Sequence, residues 1–438
     1  MSNYRYQIEQ YHSIGKADIA INGITVLAGV NGAGKSTLAR WLYYIVNFSA
    51  IYDTNRFEEF HQVFEDQLRR YGSVLKDLAE SDGLIESISN AKRTIQETNY
   101  NGIESILRVL TIYSNATTQF CDYLMTTLTK VDKNRLTRII NYLQIDKRED
   151  DSVKEIVGKY HVSQLDKGEF EKARFLKMQK ERPIDKFYEK AKRLYKETDY
   201  PTNLHFQEDG VDIISKDKIG DLFGLDNAIY IDTPMSLSVT DSTNLFWKEL
   251  RFMLVNPVDN SDDNNAIQTL LSQVRSITGG ETSEKKDITG QEELLFTRKS
   301  DNLIIKLENV ATGIKSFAYI ERLLQNARLT DSTVLIIDEP EAHLHPQWIV
   351  EFARLLVLLN KEIGLKIMVA SHDPDMVSAI RYVSEAEGTL DNTNFYIAEQ
   401  NGNSQTYTYK DLGNDIEPIF VSFNKSYELI EKYGVDNG

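Results

Sequence analysis

The stretch Gly29-Val-Asn-Gly-Ala-Gly-Lys-Ser-Thr37 decides how the rest of the chain is read. It fits G-x-x-x-x-G-K-[ST], the phosphate-binding loop of nucleoside triphosphatases. Ile24-Thr-Val-Leu-Ala28 before it is β-branched and apolar, as a buried strand should be, and Leu38 to Val46 carries apolar residues at helical spacing. A strand, a glycine-rich turn and a helix N-terminus direct backbone N–H groups and a helix dipole onto one anion. Gly29, Asn31, Gly32, Gly34 and Thr37 belong to that cradle. Lys35 is expected to reach the β- and γ-phosphates, and the Ser36 hydroxyl to bind Mg²⁺. The chain is thus expected to bind a nucleoside triphosphate.

The second half of such a site lies far downstream. Val334-Leu-Ile-Ile337 reads as a buried strand ending in Asp338, the expected Mg²⁺ carboxylate. Glu339 follows it at the strand's carboxyl end, where open α/β sheets bind ligands, and is placed to orient or deprotonate the attacking water. His372 follows another apolar strand, Lys366-Ile-Met-Val-Ala-Ser371, and is expected to reach the γ-phosphate and that water. Asp373-Pro-Asp375 reads as a turn and helix N-cap rather than half of a metal site. His343 and His345 have no evident third ligand and read as structural or dimer-contact residues.

Outward from these motifs, Tyr4–Glu9 and Ile14–Ile21 read as paired strands turning at Asn22-Gly23. From about Asn55 to Asp199 helical spacing dominates and no heptad is sustained, so several helices are expected rather than one coiled coil. Residues 166–197 hold eleven Lys/Arg against seven Asp/Glu. They read either as a solvated, self-paired helix surface or as a contact for nucleic acid or an acidic partner. Strands return after Pro201. Gly279 to Gly290 reads as mobile, Glu293 to Leu307 as a hairpin, and the remainder alternates strand and helix as parallel βαβ units do. Those strands need the strand near residue 26 to complete a sheet, which makes the helical segment an insertion. The expected division is residues 1–48 and 203–438 for an ATPase head and 49–202 for an inserted helical domain.

Three motifs together, the phosphate loop, Ile337-Asp-Glu-Pro-Glu-Ala-His-Leu-His-Pro346 and Ala370-Ser-His-Asp-Pro374, resemble the ABC/SMC-type ATPases. More narrowly they resemble the OLD-like bacterial group, including the ATPase components of the PARIS and Septu anti-phage systems. Asn309-Val-Ala-Thr-Gly-Ile-Lys-Ser-Phe317 is similar to that group's version of the ABC signature, and Gly313 lies 25 residues before Asp338. The resemblance implies an α/β ABC-type head, a mixed and largely parallel sheet with antiparallel N-terminal strands and a large helical insertion, that binds ATP and Mg²⁺. It further implies a head-to-tail homodimer, or a higher homo-oligomer, in which Thr312, Gly313 and Lys315 of one copy cap the γ-phosphate held by the other. Ile314 and Lys315 replace the signature's second glycine and glutamine, which argues against a transporter motor. OLD nucleases continue into a Toprim domain, whereas 66 residues follow His372 here. A separate effector, nuclease or toxin, is therefore the expected partner of a defence sensor or scaffold. The alternative is an SMC-like DNA-maintenance ATPase that clamps nucleic acid.

Composition sets the outer bounds. A net charge of −16 over 438 residues argues against a uniformly basic nucleic-acid coat. One cysteine, Cys121, leaves neither an internal disulfide framework nor a cysteine-rich metal site. With no apolar signal core and no run of membrane-span length, a cytoplasmic protein without a membrane partner is expected.

Overall fold

The strand carrying the phosphate loop is buried along its whole length, and the fold is arranged to cover both its faces. The computed structural model describes residues 2–78, 82–146, 148, 151–232, 244–258, 265–286 and 292–423. It divides into two compact units, Met1–Ala50 with Pro183–Gly438, and Ile51–Arg182.

The first unit opens with β1 (Tyr4–Tyr11), β2 (Ile14–Ala20), β3 (Ile24–Ala28) and α1 (Lys35–Ala50). The second unit contains α2 (Tyr52–Asp77), α3 (Asp82–Gln96), α4 (Gly102–Thr127), α5 (Lys133–Leu143) and α6 (Val153–Glu181). The chain then returns to the first unit with α7 (Ile184–Tyr195), β4 (Asn203–Glu208), β5 (Val211–Ile214), β6 (Asn227–Ile231), α8 (Leu245–Val255) and α9 (Asn265–Thr278). A small sheet follows, β7 (Gly280–Lys286), β8 (Glu292–Arg298) and β9 (Leu303–Lys306). Last come α10 (Thr312–Gln325), β10 (Thr333–Asp338), α11 (Pro346–Ile363), β11 (Lys366–Ser371), α12 (Pro374–Ala386), β12 (Thr393–Gln400), β13 (Tyr407–Asp411) and α13 (Glu417–Phe423).

Ten strands form one mixed sheet in the order β5-β4-β1-β2-β13-β12-β3-β11-β10-β6. The five from β12 to β6 run parallel. Every residue of β3, β10 and β11 is buried, as strands with both faces covered require. On the other side β1 pairs antiparallel with β2 and β4, and Tyr4, Tyr6 and Ile8 alternate inward. The fold is therefore α/β with a mixed sheet, as expected from the alternation of motifs.

Three expectations about organisation change. Residues 183–202, assigned above to the inserted domain, group with the first unit. The backbone breaks at Arg182 (φ 41°), and Pro183 starts a new helix whose Phe187 and Tyr188 meet Trp41 of α1 edge-on at 5.8 and 6.1 Å. The stretch read as mobile contains β7, seven residues paired in register with β8, while 287–290 lie outside the described residues. Gly280 is needed there: a β-carbon would sit 2.3 Å from the Phe296 ring. Finally, β4 escaped the sequence reading although Leu204, Phe206 and Glu208 alternate inward.

The helical unit has its own core. Phe64, Tyr71 and Phe120 are buried, with Tyr71 and Phe120 stacked at 4.1 Å. Each such side chain contributes about 1.5–3 kcal/mol on burial. Ser152 and Glu155 form a capping box that starts α6, and Asp132 caps α5 through the N–H groups of Asn134 and Arg135. Cys121 lies in this core, where burial pushes its thiol up to about 12 and leaves it unreactive.

Candidate nucleotide site

Strand register assembles the site. Ser371 at the end of β11 stands beside Ala28 at the end of β3, and Asp338 at the end of β10 stands beside Ala370. Residues more than three hundred positions apart thus leave the sheet at one edge, at the carboxyl ends of parallel strands.

The loop from β3 to α1 requires its glycines. Gly32 and Gly34 have φ of 82° and 95°, a region that side chains with a β-carbon disfavour. At Gly34 a β-carbon would also come within 2.7 Å of Ile14. The buried Lys35 ammonium donates to the carbonyls of Gly29 and Val30 at 2.8 and 3.1 Å. Burial lowers its pKa, and Asp338, Glu339 and Glu341 oppose that shift.

Asp338 is 8% exposed, and burial raises its pKa while Ser36 and Tyr230 favour its charged form. Its Oδ2 accepts from the Tyr230 hydroxyl at 3.1 Å; its buried Oδ1 accepts no hydrogen bond among the described residues. A buried carboxylate oxygen without a donor, next to a serine hydroxyl, suits a hard divalent cation. Among the described residues no group of three His, Cys, Asp or Glu forms a metal cage. Mg²⁺ is usually held by one or two protein oxygens together with substrate phosphates. Ser36 and Asp338 are the residues that would hold it, and the ion would neutralise charge on the phosphate oxygens.

Glu339 turns the chain with φ of 51°, its N–H bonded to the Ala370 carbonyl at 2.8 Å and its side chain partly exposed. Its Oε1 lies 3.4 Å from His372 Nδ1. Together these groups place a carboxylate and an imidazole at the carboxyl ends of β10 and β11, an arrangement able to activate water. Thr312, Gly313 and Lys315 lie on another element, at the start of α10. Gly313 packs so closely that a β-carbon would be 3.1 Å from Trp348, and Lys315 is buried, with Glu308 partly offsetting the downward shift that burial imposes. Asp373 caps α12 through the N–H groups of Asp375 and Met376, as its spacing predicts. His345 caps α11, which gives that histidine a structural role.

The sequence reading missed Glu341, Tyr230 and Tyr409. Glu341 is buried and accepts from the Ser371 hydroxyl at 2.9 Å and the His372 N–H at 3.0 Å. Burial raises its pKa against those bonds. It was legible as a third carboxylate in Asp338-Glu-Pro-Glu341. The Tyr409 hydroxyl donates to the Ala33 carbonyl of the phosphate loop at 3.1 Å from 376 positions away, and no local signal marks it.

Similarity to known proteins agrees with this geometry. The chain is 39% identical over 72 residues to an energy-coupling factor transporter ATP-binding protein, EcfA2, and to a putative ABC transporter ATP-binding protein, both of Clostridium perfringens. These matches cover 16% of this chain and only a quarter of either relative. Among solved structures, the Pyrococcus furiosus Smc head domain bound to the C-terminal domain of ScpA aligns over 99% of this chain and 100% of its own. Identity there is 10% and the TM-score 0.35. The Thermotoga maritima SMC head domain aligns over 48% of this chain and 65% of its own, at 12% identity and a TM-score of 0.27. Among the described residues no helix is long and apolar enough to cross a membrane. The AAA ATPase domain model AAA_15 matches residues 5–377, from β1 through the strand-end histidine, and the chain belongs to that family of P-loop ATPases.

Proposed function

We propose that the chain is an ABC/SMC-type ATPase that hydrolyses ATP and acts by head-to-tail dimerisation, its ATP-bound state governing a separate effector in anti-phage defence. The observation that carries the catalytic part is the meeting of Lys35, at the start of α1, with Asp338, Glu339 and His372 at adjacent strand ends. In this reading Lys35 binds the phosphates, and Glu339 takes a proton from the water that attacks the γ-phosphate. His372 steadies that water and the departing phosphoryl group. Dimerisation is supported by the signature-like residues Thr312 and Gly313 at the start of α10, where the positive end of a helix dipole favours an anion such as the phosphate bound by a second copy. The defence output rests on the OLD-like motifs and the helical insertion.

The SMC-like alternative looked to residues 166–197 for nucleic acid. Lys172, Arg174, Lys177 and Lys186 instead pair with Glu169, Glu171, Glu181 and Glu189, three or four positions away on their own helices. Lys190 and Lys192 lie over Phe48 and Tyr200. These pairs support the self-paired reading of the segment, on which the first function is preferred. Salt-sensitive duplex binding lost on neutralising Lys186, Lys190 and Arg193 would reverse that preference.

The direct test is Glu339→Gln. Turnover should fall by about 10²–10⁴ while ATP binding persists, the range expected for a lost general base. With ATP, light scattering should show the variant accumulating as a dimer. Normal turnover refutes the role of Glu339, and a monomer at saturating ATP refutes the dimer. Pull-down of the native protein should recover a co-encoded nuclease or toxin; recovery of the chain alone counts against the defence output.

A further inference from the structure

His372 is held by a residue that the hydrolysis scheme above does not use. Glu341 Oε1 accepts the His372 backbone N–H at 3.0 Å and the Ser371 hydroxyl at 2.9 Å, which fixes where β11 releases the histidine. The same oxygen lies 3.3 Å from His372 Nδ1, and Glu339 Oε1 lies 3.4 Å from that nitrogen on another approach. Neither contact is aligned as a hydrogen bond, and His372 Nδ1 and Glu341 Oε2 are both buried without one. A buried nitrogen and a buried carboxylate oxygen, each lacking a partner and belonging to residues already in contact, are costly apart and relieved by a small rotation of the ring. The ring is otherwise 41% exposed, so its accessible edge is the one away from Nδ1.

We propose that Glu341 is the positioning residue for His372. It anchors the histidine's backbone and keeps the proton on Nδ1, so that Nε2 is the nitrogen turned toward the phosphate end of the site. The chemistry is that of a carboxylate orienting an imidazole: Oε1 of Glu341 already accepts two hydrogen bonds and faces Nδ1 as an acceptor, so that nitrogen is the one to donate. Glu341→Gln would keep the shape and an acceptor for the Ser371 hydroxyl and the His372 N–H but remove the negative charge that favours a donor at Nδ1. This rests on the reading of His372 as part of the hydrolytic site.

The test combines turnover with a direct view of the tautomer in the full chain. Long-range ¹H–¹⁵N spectra of histidine-labelled protein, with His372 assigned by its loss in His372→Ala, should show Nδ1 protonated and Nε2 not. Glu341→Gln should change that pattern and lower kcat about 10–100-fold with KM for ATP nearly unchanged, the scale of lost outer-shell partners. Glu341→Asp, which keeps the carboxylate, should restore part of the rate. The double variant Glu341→Gln/His372→Ala should be no slower than His372→Ala alone, since both changes act through one imidazole. An Nε2-protonated neutral ring in the unmodified protein overturns the proposal even if Glu341→Gln fails to fold. So does near-normal turnover in Glu341→Gln, or losses that multiply in the double variant. Normal turnover in His372→Ala would instead refute the reading on which the proposal rests.

Discussion

The two units of this chain balance their charges differently. In the helical unit Asp53 lies 3.5 Å from Arg182, Arg182 covers the Tyr52 ring at 4.4 Å, and Arg56 pairs with Glu59. Each of these charges faces an opposite one within the unit, although Asp53 Oδ1, Arg56 Nε and His61 Nε2 are buried without a hydrogen bond among the described residues, and aromatic side chains around Phe64 and Phe120 fill its core. In the other unit Asp338, Glu339 and Glu341 converge on one lysine, Lys35, and one histidine, His372. Oδ1 of Asp338 and Oε2 of Glu341 remain buried without a donor. The difference lies in balance: opposite charges pair one to one in the helical unit, whereas carboxylates outnumber cations at the strand ends, and such an excess marks a place prepared for a ligand.

Four perturbations would sharpen or break this contrast. The largest effect belongs to Lys35→Ala. Two charge-assisted bonds to phosphate are worth roughly 1.5–3 kcal/mol each, so ATP affinity should fall by at least about 100-fold in titration calorimetry. An affinity within tenfold of the unmodified protein would mean the loop is not the principal phosphate site. Next, Phe64→Ala should cost about 3–5 kcal/mol through the cavity it leaves in the helical core. Calorimetry should show the loss in the transition assigned to that unit, with ATP affinity retained; loss of both together would show that the units do not unfold separately.

Asp338→Asn should act in the opposite direction on stability. Burial raises the folded-state pKa of Asp338 above its unfolded value, so the native state binds more protons between the two. Its contribution is therefore most favourable below the unfolded value near 4 and is lost as pH rises through the folded one. The asparagine variant, free of that buried charge, should melt a few °C higher at pH 8, on the order of 2–4 °C per kcal/mol relieved. The gain should vanish at acid pH, and hydrolysis should be lost. A lower melting temperature at pH 8 would mean the carboxylate is already compensated, as charges in the helical unit are. The smallest effect is Ser152→Ala, which removes the capping box of α6 for about 1 kcal/mol and should leave turnover untouched. Altered turnover would connect the helical unit to the chemistry.

What could be read from sequence followed the physics of local constraint. A phosphate loop must place glycines where φ is positive and a lysine at a helix start, so Gly32, Gly34 and Lys35 announce themselves within nine residues. Asp338 and His372 were legible because each ends an unbroken apolar strand, a pattern that parallel strands covered on both faces impose. The end of the helical unit was not, because Pro183 permits a boundary without choosing which side the next helix joins; the packing of Phe187 and Tyr188 on Trp41 decided it.

By itself the sequence determined the chemical inventory: a loop that binds phosphates, two carboxylates and a histidine at strand ends, and a helix-rich insertion. Only the tertiary structure decided that β10, β11 and β3 lie side by side, which gathers the inventory into one site. It alone brought Tyr230 to Asp338, Tyr409 to the phosphate loop and Glu341 beneath His372. The reason is physical. Backbone torsions and helix starts are local requirements written in a few adjacent residues, whereas a hydrogen bond across 376 positions exists only once the sheet has set its order and register.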